Sequence, residues 1–358
     1  MRHWFKIICV IAVAVAFSAT SGFAAKKYEG QTMQVMVGIT ARAAEQVREY
    51  IAPKLKEKYG IEIAVEAVGS AAMLEKVMIQ KDNPRITIVG WDTPIGVMGA
   101  EMGLCATIDI NKLPNVKDNM YDWCITKLGG DVKVLTTSII SPGLIYNADV
   151  FKQKGFPPPT SWNDLWKKEY SGRVSIVAPE STMGLSSLVC IARMEGGGEN
   201  NIDPGFNKLK TLLPNIHTIH TWSTEGIKLM QLGEIWMMIQ SQNIATAMRK
   251  SGFPATWVAP KEGAPMVNGG VSIIEKAPYQ DVAYDYLNLY YSQEFQLPRM
   301  QESGTLPPLK TVWASLSEKV KADLPLTDKD LNKLINLDWV KINSEKQKWV
   351  ERWKREMK

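Results

Sequence analysis

The stretch with the most chemical potential is Pro179-Glu180-Ser181-Thr182-Met183-Gly184. It follows a strand-like run, Arg173 to Ala178, and opens a helical one, Met183 to Met194. Free backbone N–H groups and the Ser181 and Thr182 hydroxyls would therefore surround a point where an anion could sit. The same hydroxyls serve equally well as ordinary helix N-caps. Arg42, in Thr40-Ala41-Arg42 behind another strand, offers a bidentate contact to a carboxylate or phosphate, and its alternative is a solvated loop cation. Asp92 and Glu180 are acids in comparable loops and could face an ammonium. Catalytic and metal chemistry find little support. GxSxG, HExxH, GxxxxGK(S/T) and CxxC motifs are all missing from the sequence. His217 and His220 lie in an apparent strand with no Cys or carboxylate cluster beside them, a poor metal site. No cofactor is implied.

The elements that must position these loops alternate in type. Met33 to Gly38 reads as a strand, Ala43 to Lys58 as an amphipathic helix ended by Gly60, and Ile61 to Val68 as a strand. Met73 to Gln80 is helical, Ile86 to Val89 a strand, Ile95 to Met102 helical, and Val134 to Ser138 a strand again. Ser161 is a good N-cap for a short helix carrying Trp162, Leu165 and Trp166. Later strands are expected at His217 to Trp222, Glu234 to Gln240, Ala255 to Pro260 and Gly270 to Ile274, with helices at Thr224 to Leu232 and Val282 to Tyr291. Alternation of this kind specifies an open α/β fold. At the end, Ile342, Trp349, Val350, Trp353 and Met357 fall at helical spacing, a terminal helix that docks its tryptophans onto a domain.

A chain of 358 residues, 45% hydrophobic and 22% charged, is too long for one core and divides into two domains. Its 42 basic residues are interspersed with 37 acidic ones for a net charge of +5, a pattern that excludes nucleic acid as the expected partner. Arg2 and Lys6, the apolar run Ile7 to Phe17 and the small residues around Phe23 read as an export signal over 1–24, cleaved near Ala24. Export permits disulfides, and Cys105 and Cys124, close in sequence, form the plausible pair, while Cys190 sits in an apolar run as an inert thiol.

Five segments taken together resemble the solute-binding proteins of ABC importers, specifically the type 2 periplasmic binding proteins near the polyamine, iron and thiamine binders. They are Gly143-Leu144-Ile145-Tyr146-Asn147, Ser161-Trp162-Asn163-Asp164-Leu165-Trp166, Tyr170-Ser171-Gly172-Arg173-Val174, Leu232-Gly233-Glu234 and Pro260-Lys261-Glu262-Gly263. The resemblance implies two α/β lobes, each a central sheet flanked by helices, joined by two crossing strands that act as a hinge. Lobe one would combine 25–138 with 265–305, and lobe two 139–264 with 306–358. It implies a periplasmic, monomeric, non-enzymatic protein that hands a small solute to an ABC importer's membrane permease.

Ligands in open α/β folds meet the loops beyond the carboxyl ends of strands. The expected contacts are Thr40, Arg42, Ser70, Trp91, Asp92, Thr93, Ser138, Glu180, Ser181, Thr182, Gln240 and Asn268. Polyamine binders surround ammonium groups with acids and aromatics. Here Arg42 stands in the first loop, Ser181-Thr182 opens the second-lobe helix, and Asn268-Gly269 lies at the return crossing. The residues favour a small organic solute bearing a carboxylate, phosphonate or phosphate, zwitterionic if its ammonium meets Asp92 or Glu180. Trp91, Trp222 and Trp236 are candidates to wall it. A polyamine, a sensor role and a secreted hydrolase with dispersed catalytic residues are the competing readings.

Overall fold

A computed structural model describes residues 25–38 and 40–357. The export signal lies outside the described residues. Among the described residues, eleven strands form two sheets. The first contains β1 (Thr32–Val37), β2 (Glu62–Ala67), β3 (Ile86–Val89), β4 (Ile125–Leu128), β5 (Asp131–Ser138) and β11 (Gly269–Ile273), in the order β2-β1-β3-β11-β5-β4. The second contains β6 (Pro142–Asn147), β7 (Val174–Val177), β8 (Ile216–His220), β9 (Met237–Ser241) and β10 (Ala255–Val258), in the order β10-β6-β9-β7-β8. Strands joined through helices pair in parallel, as β1 with β2 and β3, and β7 with β8 and β9. Strand β11 returns from the second sheet and runs antiparallel between β3 and β5. The chain thus passes between the sheets at 139–141 and again at 259–268.

The helices are α1 (Ala41–Gln46), α2 (Ala52–Tyr59), α3 (Ser70–Ile79), α4 (Thr93–Glu101), α5 (Ala148–Lys154), α6 (Thr182–Met194), α7 (Asp203–Lys210) and α8 (Ser223–Gln231). They continue as α9 (Gln242–Lys250), α10 (Gln280–Tyr290), α11 (Gln293–Ser303), α12 (Lys310–Ser315), α13 (Glu318–Asp323), α14 (Asp328–Leu331) and α15 (Trp339–Glu356). Local chemistry sets many boundaries. Gly60 ends α2 at φ 75°, a left-handed conformation that glycine adopts without a Cβ penalty. The Ser161 expectation holds as a capping box, in which the Ser161 hydroxyl accepts the Asn163 N–H and the Asp164 carboxylate accepts the Ser161 N–H. The element it caps is a 3-10 turn, Trp162–Trp166.

Three apolar clusters hold the molecule together. One covers a face of the first sheet, with Met33, Val35 and Leu135 under Val282, Tyr286 and Leu287 of α10, and continues onto the second sheet through Ile145, Met238 and Trp257. Met36, Ile86, Val89 and Trp91 form a second on the opposite face of that sheet. The third packs the second sheet against α6, α7 and the end of the chain. Cys105 belongs to the second cluster and Cys124 to the first, and both are free thiols. The bridge expected from their sequence proximity is therefore not made, because an intervening sheet separates the two side chains. Cys190 is a buried free thiol, as expected.

The terminal segments are shared between the sheets. Residues 306–316, assigned by sequence to lobe two, meet first-sheet elements: Leu306 bridges Ile139, Leu309 bridges Met120, and Tyr121 N donates to Pro308 O at 3.2 Å. Helix α15 docks Ile342, Trp349 and Trp353 into the second-sheet cluster while Asn343 Nδ2 donates to Pro94 O of α4 at 2.8 Å. Among the described residues no helix is long and apolar enough to cross a membrane.

Candidate functional site

Five of the expected residues converge at the carboxyl end of the first sheet. After β3 the chain turns at Trp91-Asp92-Thr93 to begin α4, with Asp92 extended at the N-cap and Pro94 fixing the first turn. Asp92 N donates to Ser70 Oγ at 3.0 Å, which draws the start of α3 beside it. Thr93 N donates to Asn268 O at 2.8 Å and Gly270 N to Trp91 O at 2.6 Å, binding the return crossing to the same turn. Gly269 pairs with Ser138, and a Cβ at Gly269 would stand 2.7 Å from Thr137 Oγ1 and 2.9 Å from Ser138 Oγ. Only glycine lets those hydroxyls lie so close to the crossing. Ser70, Asp92, Thr93, Ser138 and Asn268 are thus neighbours, although 198 positions separate the first from the last.

The second sheet contributes Glu180, Ser181 and Thr182 after β7, and Gln240 at the end of β9. Ser181 Oγ accepts Met183 N at 3.2 Å, so this hydroxyl caps α6. Glu180 is exposed and faces Lys354 of α15 at 3.5 Å. The Gln240 side chain turns back on its own neighbour, with Oε1 accepting Ser241 N at 2.9 Å.

Three expected features stand differently. Arg42 is exposed and held by carboxylates, Glu302 at 2.9 Å, Glu49 at 3.0 Å and Glu45 at 3.5 Å. Hydrogen bonds that it donates to Glu302 and then to Glu49 keep its guanidinium firmly protonated. Thr40 Oγ1 accepts Ala43 N at 3.3 Å and caps α1, so this loop is satisfied by its own surroundings. Trp91 is 1% exposed: its ring fills the space left by Gly96 and Gly99, and Nε1 donates to Ser272 Oγ at 3.2 Å. It is a core residue rather than a wall. Trp236 stacks beneath the cations Arg173 and Lys154, whereas Trp222 is 65% exposed at the end of β8.

A cavity of about 340 Å³ opens beside the first-sheet cluster, between α4, β4 and the segment 336–340. Thr93 and Asn268 line it, together with Val97, Trp123, Lys133 and Trp339. Thr93 Oγ1 and Asn268 Oδ1 are buried without a hydrogen-bond partner. Buried polar atoms are nearly always paired, so two orphans on one cavity wall mark a place where a guest's polar groups would be accepted.

The charge at this end is unusual. Burial raises the Asp92 carboxyl above its ordinary range, opposed by the Ser70 hydroxyl and by the field of Lys346. Burial likewise lowers the Lys346 ammonium, opposed by Asp92 and Glu180. Lys346 lies on α15, outside every loop that sequence reasoning singled out. Its signal was present in the periodicity, since 342, 346, 349 and 353 share one helix face. Gln242 was also missed as a single residue. It is wholly buried at the start of α9, with Oε1 accepting Ser141 N at 2.7 Å and Nε2 donating to Ile139 O at 3.1 Å. No group of His, Cys, Asp and Glu among the described residues could hold a metal ion.

Two α/β sheets joined by two chain crossings, with loops gathered at the carboxyl ends of their strands, define a two-lobed binding protein of the type 2 periplasmic class. The chain belongs to the family described as bacterial extracellular solute-binding protein, whose sequence model matches residues 50–327. It is 24% identical over 315 residues to the spermidine/putrescine-binding periplasmic protein of Escherichia coli, covering 81% of this chain and 84% of that one. It is 24% identical over 254 residues to spermidine/putrescine-binding periplasmic protein 1 of Haemophilus influenzae, covering 67% of each. Among solved structures, an ABC transporter protein from Clostridium perfringens superposes with a TM-score of 0.77 at 22% identity, over 91% of this chain and 100% of that one. The periplasmic binding protein AfuA of Actinobacillus pleuropneumoniae, with fructose-6-phosphate bound, gives 0.69 at 23% identity, over 92% and 99%. The protein is thus an extracellular solute-binding protein of the kind that captures a small molecule for an ABC importer's membrane permease.

Proposed function

We propose that the solute carries an ammonium group, held between Asp92 of the first lobe and Glu180 of the second. Ser70, Thr93, Ser138 and Asn268 would orient the rest of it through hydroxyl and amide groups. One observation carries this reading: Asp92 makes no ion pair among the described residues, whereas Arg42, the cation expected to hold an anion, is surrounded by three glutamates. A half-buried carboxylate without a close partner is costly unless a ligand cation completes it. Two relatives named for spermidine and putrescine support the same ammonium chemistry. Trp222, exposed at the end of β8, would supply an aromatic surface. Lobe one is taken as 25–138 with 265–305 and lobe two as 139–264 with 306–358, residues 306–316 fastening one to the other. We read the protein as a monomer, exported by the signal over 1–24.

Closure of the lobes would bring Glu180 toward Asp92, so that a solute touching both favours the closed form. The test is thermal unfolding of the protein from Ala25 onward, stripped of carried-over ligand by partial unfolding and refolding. The panel contains amines, amino acids, aminophosphonates, and carboxylates and phosphate esters without an amine. A ligand at 100 times its Kd stabilises by about 2.7 kcal/mol. Shifts confined to amine-bearing compounds and abolished by Asp92→Asn are expected. A shift with amine-free anions that survives Asp92→Asn would return the assignment to the anion reading at Ser181 and Thr182.

A further inference from the structure

Helix α15 turns the buried apolar residues Trp339, Ile342, Trp349 and Trp353 toward the body of the protein. Lys346 is a half-buried lysine on the same apolar stripe. The neighbouring lysines have partners of their own: Lys341 with Glu345 at 3.0 Å, Lys348 with Glu345 at 3.2 Å and Lys354 with Glu180 at 3.5 Å. Lys346 has none among the described residues, although burying an ammonium without compensation is unfavourable. The helix is anchored on both sides of the solute site. Asn343, one turn before Lys346, donates to the carbonyl of Pro94, two residues beyond Asp92, and Lys354, two turns after it, meets Glu180. Lys346 lies between those anchors, close enough to Asp92 and Glu180 for both carboxylates to act on its ammonium.

We infer that Lys346 is a resident ammonium of the solute site, standing between Asp92 and Glu180 and fixing the net charge of the solute that the site accepts. This rests on the reading of Asp92 and Glu180 as an ammonium site. The formal charges of the two carboxylates and of Lys346 and Lys354 balance, while Asp92 itself has no contact ion pair among the described residues. A solute with one ammonium and a compensating anionic end keeps that balance, its anion meeting Lys346. A diamine or triamine brings excess positive charge against a lysine that the helix cannot withdraw without unseating Ile342 and Trp349. Lys346 is accordingly a specificity-determining residue that favours zwitterionic solutes over polyamines.

The experiment compares the wild-type protein with Lys346→Met by calorimetric titration with putrescine, spermidine and 4-aminobutyrate, the last a zwitterion of putrescine's length. Methionine keeps the stripe apolar, and circular dichroism with the unfolding midpoint checks that the variant folds. Lys348→Met removes the same charge from the outer face of α15 and controls for the long-range effect of net charge. The expected result is a gain of at least tenfold in putrescine and spermidine affinity in Lys346→Met, with 4-aminobutyrate binding weakened, and changes under twofold in Lys348→Met. Equal diamine affinity in the wild-type protein and Lys346→Met, or equal gains in both lysine variants, would overturn the assignment while leaving the ammonium site intact. Failure of every amine to bind any of the three proteins would overturn the ammonium site, and this inference with it.

Discussion

Replacing Gln242 by methionine tests how the passage between the two sheets is held. The Gln242 side chain is fully buried and spans the first crossing, taking the Ser141 N–H at 2.7 Å and giving a hydrogen bond to Ile139 O at 3.1 Å. The two ends are not equivalent. Ile139 O also accepts Leu306 N at 3.0 Å, so its carbonyl keeps one partner when the amide is removed. Ser141 N–H has no other partner and belongs to a residue that is 0% exposed, so it becomes a buried orphan. An orphaned buried donor costs about 1–3 kcal/mol, and loss of the second bond to Ile139 adds roughly 0.5–1 kcal/mol. Methionine fills nearly the same volume and recovers under about 1 kcal/mol of that through its apolar thioether. The net expectation is destabilisation by about 2–3 kcal/mol. With an m value of about 3 kcal/mol/M in urea, the midpoint should fall by roughly 0.7–1 M without a change in slope. The assay is urea unfolding of ligand-free protein from Ala25 onward, followed by tryptophan fluorescence and far-ultraviolet circular dichroism. A midpoint shift below about 0.2 M would refute the staple, since it would mean that Ser141 N–H finds water or another acceptor.

Other outcomes follow from the same geometry. His220 is buried with Nδ1 2.6 Å from Ser175 Oγ, and burial lowers its pKa. Its contribution to stability is therefore full above the unfolded value of about 6.5 and is lost as pH falls through the folded one, so the urea midpoint should decline on the acid side of pH 6.5 and decline less in His220→Gln. Because burial raises the Asp92 carboxyl, amine affinity should begin to fall at a higher pH during acidification than an exposed aspartate would give, and Asp92→Asn should remove that dependence. Trp353, 5% exposed and 6.3 Å from the Phe206 ring in an edge-to-face arrangement, should cost about 3–5 kcal/mol when changed to alanine, read as a lowered urea midpoint. Thiol titration of the protein from Ala25 onward should find Cys105, Cys124 and Cys190 unreactive when native and all three reactive in denaturant without reductant, whereas a count of one would restore the bridge.

Alternating runs such as Met33 to Gly38 and amphipathic runs such as Ala43 to Lys58 were legible because periodicity and end signals act over a few residues. They fixed the α/β class, most strand positions, the Ser161 cap and the docking of Trp349 and Trp353. The loops beyond the strands followed as candidates, and four of them do meet at Asp92. Contacts across long separations were not legible. Cys105 and Cys124 lie close in sequence but on opposite faces of a sheet, and no local pattern records which face each would take. Arg42 reads as a free cation until α11 brings Glu302 to it from 260 positions away. Trp91 reads as a binding surface until Gly96 and Gly99 turn out to receive its ring. Lys346, in a helix far from every loop, joins Asp92 and Glu180 only because α15 folds back over both sheets. The sequence by itself determined which segments form strands and helices, since those choices rest on neighbouring residues. Only the tertiary structure decided which charges meet, because a side chain's partner depends on where the rest of the chain returns.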